Sequence, residues 1–349
     1  MSLNARTPGM ARTRSIKREA GIAMMILAGI IIAPCHSIAA DPQSDPVVQA
    51  VEKGLSVLER GAKEYPSHQS CFSCHHQTLP LLAMKTSRGA GLRFDEELFR
   101  NQVKLTRQSF AGRQERLAKG EHVGGRAATV SYGLWTLFIA DEAPDDLSAA
   151  MATYLLSLQH EDGRWTPPSN RPPLEVSPVS CTVLTAIGLK RFASEDQREK
   201  ASAAIDRAKA WLQTAPLVDQ EDLNFAMWGE KLLDGNQARL LDLRERVLKE
   251  QQPDGGWRQL PELTSDAYST GQTLVLLMET GLAATDPAVE KGIQFLLKSQ
   301  QEGGSWHVVT RSKPIQPWFD NGDPHEKDQF ISIAATGWAT AALARTRLR

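Results

Sequence analysis

Cys71, Cys74 and His75 form a Cys-x-x-Cys-His segment, the arrangement with the most specific chemistry in this 349-residue chain. In c-type haem attachment, two thiols at this spacing add to the haem vinyl groups and the adjacent histidine ligates the iron. Two alternatives stay open. The two thiols could form a disulfide in an oxidising compartment, or they could hold zinc together with His75 or His76. The segment therefore predicts haem c first, with a disulfide or zinc as lesser interpretations.

A second iron ligand would have to come from elsewhere in the chain. Met84 lies nine residues along the same predicted helix, about 13 Å away, so it cannot face His75 across one iron. His76 points about 100° from His75 if both are helical, so it is also a poor second ligand. The long segment 307–329 contains His325, which a closed ring of helices would bring near the motif. His325 is therefore the candidate distal ligand; the alternative is that it is a solvated loop histidine.

The first forty residues have the pattern of a secretory signal peptide. Basic residues within 12–18 precede an apolar run at 21–33 and a small-residue stretch at 37–40. That run is too short to predict a membrane span. We therefore expect an exported protein, periplasmic or secreted, whose mature part, residues 41–349, is a single domain without a transmembrane anchor.

Composition and charge exclude one large class of partner. The whole chain carries 40 Lys and Arg against 41 Asp and Glu. The predicted leader holds five Lys and Arg residues and one Glu, so the mature chain has 35 basic against 40 acidic residues, a net charge of about −5. Such a surface gives no reason to expect nucleic acid. A mature chain of about 309 residues is long enough for one large core.

Three copies of the pattern Gln-x-x-x-Gly-x-Trp follow apolar helical stretches: Gln159 to Trp165, Gln251 to Trp257 and Gln300 to Trp306. In each copy we expect the helix to end near the Gln, the Gly to supply a positive φ, and the Trp to fold back as an apolar anchor. The first two tryptophans are 92 residues apart and the last two 49 apart. This spacing predicts a degenerate copy near Trp211.

Helical periodicity around these anchors predicts six helix pairs. The outer helices are expected at about 46–62, 95–114, 145–158, 197–213, 237–251 and 287–300, and the inner ones at about 76–88, 128–140, 178–191, 222–233, 267–280 and 330–346. The inner segments are apolar nearly all round, so they must be covered on both faces. We therefore predict an all-α protein, an α/α toroid of six helix pairs closed into a ring.

The repeats, with the inner segment 266–274, resemble the squalene–hopene cyclase and prenyltransferase superfamily. The resemblance is specific over about residues 145–346 and covers the first two pairs only through periodicity. Residues 251–343 are similar to squalene cyclase-like repeats of exported bacterial proteins that carry a Cys-x-x-Cys-His segment upstream. The resemblance implies an α/α toroid and an apolar, isoprenoid-like ligand.

The catalytic motifs of that superfamily are mostly missing. Its cyclases protonate their substrate with an Asp of an Asp-x-Asp-Asp motif, and the nearest placement here, residues 265–270, keeps Asp266 alone. Its protein prenyltransferases hold zinc with Asp-x-Cys and a distant His, and Tyr268 stands where the thiolate would be. The resemblance implies Asp266 as the candidate catalytic acid, whereas its place at the start of an inner helix favours an N-cap.

Five aromatic residues on the predicted inner helices could either line a ligand cavity or fill the ring as core: Tyr132, Trp135, Trp228, Tyr268 and Trp338. Cys181, also on an inner helix, is predicted to be a buried free thiol. Two functions follow. The first is an exported toroid with a c-type haem, acting in redox chemistry or electron transfer with a periplasmic partner and binding an isoprenoid-like ligand. The alternative is a haem-free cyclase-like enzyme or binding scaffold with a Cys71–Cys74 disulfide.

Overall fold

A computed structural model describes residues 45–314 and 317–348. The predicted signal peptide at 1–40 lies outside them. The α-helices are α1 (Pro46–His68), α2 (Leu79–Gly89), α3 (Glu96–Ala111), α4 (Gln114–Ala118), α5 (Arg126–Ile139), α6 (Asp146–Ser157), α7 (Pro178–Phe192), α8 (Arg198–Thr214), α9 (Gln220–Leu232), α10 (Gln237–Lys249), α11 (Ala267–Glu279), α12 (Pro287–Ser299) and α13 (Gln329–Arg345). Among the described residues, no helix is both long and apolar enough to cross a bilayer.

The inner helices α2, α5, α7, α9, α11 and α13 form a closed ring, in which each packs against the next and α13 contacts both α11 and α2. The outer helices α1, α3, α6, α8, α10 and α12 surround it. Inner helices are buried on nearly every face, as α13 shows, whereas outer helices bury one stripe. The described residues therefore confirm the α/α toroid of six helix pairs, including the contact between the first and last inner helices.

Local sequence explains where most of the outer helices begin. Five of those six helices start after an Asp or Asn whose side chain accepts a backbone N–H of the first turn: Asp45, Asp95, Asp145, Asn236 and Asp286. Such caps satisfy N–H groups that have no partner inside the helix. Each outer helix is therefore delimited by its own sequence before it packs on the ring.

Several short elements were not predicted. The first inner helix is preceded by a π-helical turn, Cys74–Thr78, and α4 is an extra five-residue helix. Strands β1 (Trp257–Arg258) and β2 (Ser265–Asp266) pair antiparallel, with Trp257 opposite Asp266. Elements of two to five residues are too short to show a hydrophobic period, so their formation depends on neighbours in space.

The repeated glutamines join consecutive outer helices. Gln159 Nε2 donates to the Ala204 carbonyl of α8 at 2.8 Å, and Gln251 Nε2 donates to the Ala288 carbonyl of α12 at 2.8 Å. Gln300, at the end of α12, donates to the Ala50 carbonyl of α1 at 2.8 Å. The last repeat therefore closes the ring between the two ends of the chain.

The tryptophan of each repeat is a fully buried anchor. Each indole N–H donates to a carbonyl ten residues earlier, in the preceding outer helix: Trp165 to Leu155 at 2.7 Å, Trp257 to Val247 at 2.8 Å and Trp306 to Leu296 at 2.9 Å. The predicted degenerate copy differs. Its Gln213 donates instead to Glu230 Oε1 at 2.8 Å, and Arg239 of α10 donates to the Leu212 carbonyl of α8 at 2.8 Å. In this copy an arginine of the next outer helix, rather than a glutamine of the repeat, joins the two outer helices.

The backbone at Gly304 packs so closely against α1 that an added side-chain methyl group would disturb ring closure. Its φ is +93°, and a Cβ there would lie 2.5 Å from the Lys53 carbonyl oxygen of α1. We expect Gly304→Ala to lower the free energy of unfolding by about 1–3 kcal/mol, because it combines backbone strain with overpacking. Gly303→Ala is the matched control, since a Cβ at Gly303 meets nothing within 4 Å. Urea denaturation of both variants is the measurement, and equal losses would contradict this account of closure.

Candidate functional site

A cavity of about 440 Å³ opens at the rim where the inner helices begin. Its walls come from the end of α1, the segment 71–75, the end of α3, the starts of α5 and α13, and the loops that precede α7 and α13. Its aromatic lining residues are Tyr65, Phe72, Phe110, Tyr132, Trp318 and Phe330. Cys71, Cys74 and His75 line this same cavity. Residues far apart in the sequence therefore surround the Cys-x-x-Cys-His segment with apolar rings.

Ser73 holds the segment in place at the start of the π-helical turn. Its Oγ accepts the backbone N–H of His76 at 3.3 Å, and its own N–H donates to Gln77 Oε1 at 2.8 Å. Cys71 is exposed, Cys74 is half-buried, and the two thiols are not bonded to each other. The Tyr65 hydroxyl lies 3.4 Å from Cys71 Sγ. Both thiols can therefore be reached from the cavity.

The two adjacent histidines are in direct contact. His75 Nδ1 lies 2.8 Å from Ser73 Oγ and 2.5 Å from His76 Nδ1. Burial lowers the pKa of His75 to about 3, helped by the charge of Arg171. Burial and the neighbouring His75 hold the pKa of His76 well below its ordinary value. Both imidazoles are therefore neutral near pH 7, and neutral imidazole is the form that binds a metal.

The structure also bears on the Cys74 and Cys181 thiols and on the zinc interpretation. Burial raises the pKa of the Cys74 thiol to about 12, with a contribution from Glu175, so Cys74 is protonated. Cys181 is buried as predicted, and burial raises its pKa to about 12. Within 45–314 and 317–348, no group of three or more His, Cys, Asp or Glu side chains is arranged to hold a metal ion. The zinc interpretation therefore has no preformed ligand set in this part of the chain.

The mouth of the cavity is cationic. Arg113, Lys313 and Lys327 line it and are exposed, and Arg171 lines it while donating to Glu175 Oε2 at 3.0 Å. Glu175 is the one acid among the described lining residues. An apolar interior with cations at the opening suits a ligand that has an apolar body and an anionic group.

His325 lies in a different cluster from the Cys-x-x-Cys-His segment. Its Nε2 is 3.0 Å from Ser305 Oγ, and its ring stacks on His307 with centroids 4.7 Å apart. His307 Nε2 in turn is 2.9 Å from Asp328 Oδ2. The same segment does reach the cavity through Lys327. His325 as a distal iron ligand stays a prediction that this geometry does not support.

The five aromatic candidates divide between cavity and core. Tyr132 lines the cavity. Trp135 packs in the ring interior with its centroid 5.7 Å from Trp228 and 5.8 Å from Trp338. The Tyr268 hydroxyl donates to Glu221 Oε2 at 2.9 Å. Tyr132 therefore lies at the cavity, and Tyr268 and the three tryptophans lie in the buried core.

Asp266 caps α11, as its position predicts. Its Oδ1 accepts the backbone N–H of Ser269 at 2.9 Å, and its Oδ2 accepts from Gln259 Nε2 at 3.0 Å. Burial raises its pKa to about 6. Asp266 does not line the cavity, so as a candidate catalytic acid it has no contact with that space.

Sequence reasoning missed a buried acid, Glu221, in the first turn of α9. Its side chain is 4 % exposed; Oε2 accepts from Tyr268, while Oε1 is buried with no partner among the described residues. Burial, followed by the nearby Asp219, raises its pKa to about 8. The carboxyl is therefore protonated near pH 7. An acid in a first helical turn usually faces solvent, and the one available signal was that α9 belongs to the inner ring.

Comparison with solved structures identifies the fold. No protein-family model and no curated protein sequence matches this chain. The apo type II terpene cyclase MstE from Scytonema superposes with a TM-score of 0.54 at 14 % identity, over 86 % of this chain and 98 % of its own. This chain has the terpene cyclase fold.

Two further solved structures share the fold. An MstE variant in complex with geranylgeranyl dihydroxybenzoate, its substrate, gives a TM-score of 0.52 at 12 % identity, over 86 % of this chain and 99 % of its own. A protein from Actinoplanes gives 0.53 at 14 % identity, over 87 % of this chain and 100 % of its own. At such identities the terpene cyclase fold is shared without any statement about activity.

Glu221 should make stability fall as the pH rises. Its folded-state pKa of about 8 lies above the ordinary 4.5. Between those values the folded state binds more protons than the unfolded state, so stability present below pH 4.5 is lost on the way to pH 8. From pH 5 to pH 8 we expect the native protein to lose roughly 2–4 kcal/mol relative to Glu221→Gln, because other titrating groups such as His75 and His76 are common to both proteins and cancel in the comparison.

Urea denaturation at pH 5 and pH 8 measures this effect. Glu262→Gln is the control, because Glu262 is exposed. The same pH slope in Glu221→Gln as in the native protein would show that this carboxyl is already ionised at neutral pH.

Proposed function

We propose that this protein is an exported toroid that carries a covalently attached haem c in the rim cavity and acts in haem-based redox chemistry or electron transfer. One observation carries the proposal: Cys71, Cys74 and His75 line one aromatic cavity whose mouth is cationic. A disulfide would require only the two cysteines. The histidine, the aromatic walls and the cations are additional features that haem would use.

The residues present fit this group on chemical grounds. Haem has a flat apolar body and two carboxylates, and the cavity pairs aromatic walls with Arg113, Lys313 and Lys327 at its opening. Charged guanidinium and ammonium groups form strong hydrogen bonds with carboxylates. His75 is neutral, as an iron ligand must be.

The cavity-lining residues would have different roles toward the bound haem. Cys71 and Cys74 would hold the group covalently, His75 would ligate its iron, and aromatic rings such as Phe330, which line the cavity, would exclude water from its apolar body. A bound haem supplies one-electron redox chemistry. Because the cavity opens at the rim, a periplasmic redox partner would dock there, beside the exposed Trp318.

Attachment can be tested directly. We expect the protein made in a host with cytochrome c maturation machinery to show a haem absorption spectrum. After denaturation under reducing conditions, it should retain haem and the corresponding extra mass. Cys71→Ala/Cys74→Ala should lose both, because no thioether can form.

Cys181→Ala is the matched control, because Cys181 is buried on α7 and does not line the cavity. It should keep its haem. A native protein without haem in that competent host, with a Cys71–Cys74 bond found by peptide mapping, would overturn the proposal in favour of the haem-free scaffold.

A second candidate function is binding of an isoprenoid-like ligand, with or without its conversion. It is favoured by the fold shared with MstE, one structure of which holds geranylgeranyl dihydroxybenzoate, and by the aromatic lining of the rim cavity. Trp318 lines the cavity and is 63 % exposed. Quenching of its fluorescence by geranylgeranyl dihydroxybenzoate, absent in Trp318→Phe, would support this candidate, and no quenching would count against it.

A further inference from the structure

Glu175 places a carboxylate in the wall of the rim cavity. It lies in the loop that precedes α7, it lines the cavity, and its side chain is 16 % exposed. Burial and then the charge of Glu175 raise the pKa of the Cys74 thiol, which lines the same cavity. The carboxylate is therefore close to Cys74, on the cavity side of its loop.

A short hairpin holds this carboxylate by one of its two oxygens. The backbones of Arg171 and Glu175 bond each other twice, at 3.1 and 3.0 Å. Glu175 Oε2 accepts from Ser169 Oγ at 2.6 Å and from Arg171 Nε at 3.0 Å, and Arg171 Nη2 also donates to it. Among the described residues, every donor to this carboxylate bonds Oε2. Oε1 is thus left to accept from water or from a ligand.

A ligand that fills the cavity must satisfy Oε1 or leave it without a partner. Water can donate to this oxygen in the free protein. An apolar body would expel that water, and a carboxylate oxygen that is buried without a donor is costly. A ligand that brings its own donor avoids this cost. The cavity therefore discriminates between apolar molecules that carry a donor and those that do not.

The surrounding charges select the kind of donor. Arg171 neutralises Glu175, so this wall presents an acceptor without a net negative charge. The exposed cations Arg113, Lys313 and Lys327 at the mouth disfavour the approach of an ammonium group. A hydroxyl group supplies a donor and carries no charge. The surroundings therefore favour an alcohol or a phenol over an amine.

We propose that Glu175 is a specificity-determining residue of the rim cavity: its Oε1 accepts a hydrogen bond from a hydroxyl group on an apolar ligand. This inference rests on the isoprenoid-like ligand of the second candidate function and names the group of that ligand that the cavity recognises. The ligand class is thus an isoprenoid alcohol or phenol, in preference to a hydrocarbon or ether of the same size.

The first test uses a matched pair of ligands, farnesol and farnesyl methyl ether, with the haem-free protein. The ether keeps the isoprenoid body and the oxygen but lacks the O–H donor. A hydrogen bond to a charged group typically changes affinity by about 10–100-fold. We expect the native protein to bind the alcohol more tightly than the ether by this factor, as measured by isothermal titration calorimetry.

Glu175→Gln should bind both ligands with nearly equal affinity. Ser169 and Arg171 are donors, so the amide oxygen would take the place of Oε2 and the amide NH2 would face the ligand, where it can donate to an alcohol and to an ether alike. Glu161→Gln is the matched control and should keep the native preference. Glu161 is exposed, lies in the same segment between α6 and α7, and does not line the cavity.

Equal affinities for farnesol and its ether in the native protein would overturn the role of Glu175 and leave isoprenoid binding intact. An undiminished preference in Glu175→Gln would overturn it as well. A second pair, 1-naphthol and 1-methoxynaphthalene, separates hydroxyl recognition from the isoprenoid body. A preference for 1-naphthol that is lost in Glu175→Gln, with no binding of either isoprenoid, would sustain the role of Glu175 and overturn the isoprenoid candidate. Failure to bind either pair would overturn both.

Discussion

The contact between the last outer helix and the first is the constraint on which the cavity depends. Gln300 bonds the Ala50 carbonyl at 2.8 Å, and the backbone at Gly304 lies directly against Lys53. The cavity walls come from residues near 65–75 at one end of the chain and 310–331 at the other. Only a closed ring holds these two segments together. The proposed haem site is thus a product of closure, and so is the cationic mouth.

Burial shapes the electrostatics of this ring more than ion pairing does. Desolvation is the largest cause of the lowered pKa of His75 and of the raised pKa of Glu221 and Asp266. It also raises the pKa of Asp323 to about 7. Burial thus disfavours the charged form of each of these groups, while the cations at the cavity mouth remain exposed. The interior therefore suits neutral ligands and apolar bodies, and the rim suits anions.

The fold is shared with terpene cyclases, but the chemical groups are differently placed. Asp266 is a helix cap bonded to Ser269 and Gln259, away from the cavity. The thiols and imidazole of the 71–75 segment lie at the cavity instead. A toroid offers a rim built from many loops, and new chemistry can be carried by one loop without altering the ring. This separation lets the groups at the rim differ between proteins that share the ring.

The sequence by itself determined the helix pairs and the repeat anchors, because these follow from periodicity, caps and glycine turns that are local, and the count of six pairs predicted the ring. It also indicated the Cys-x-x-Cys-His segment and the cap role of Asp266. Only the tertiary structure decided that His325 bonds Ser305, that Glu221 is a buried acid and that His76 lies against His75. Those outcomes depend on which helices meet and how much water they exclude. Desolvation and side-chain direction are properties of the packed ring, and one stretch of sequence does not contain them.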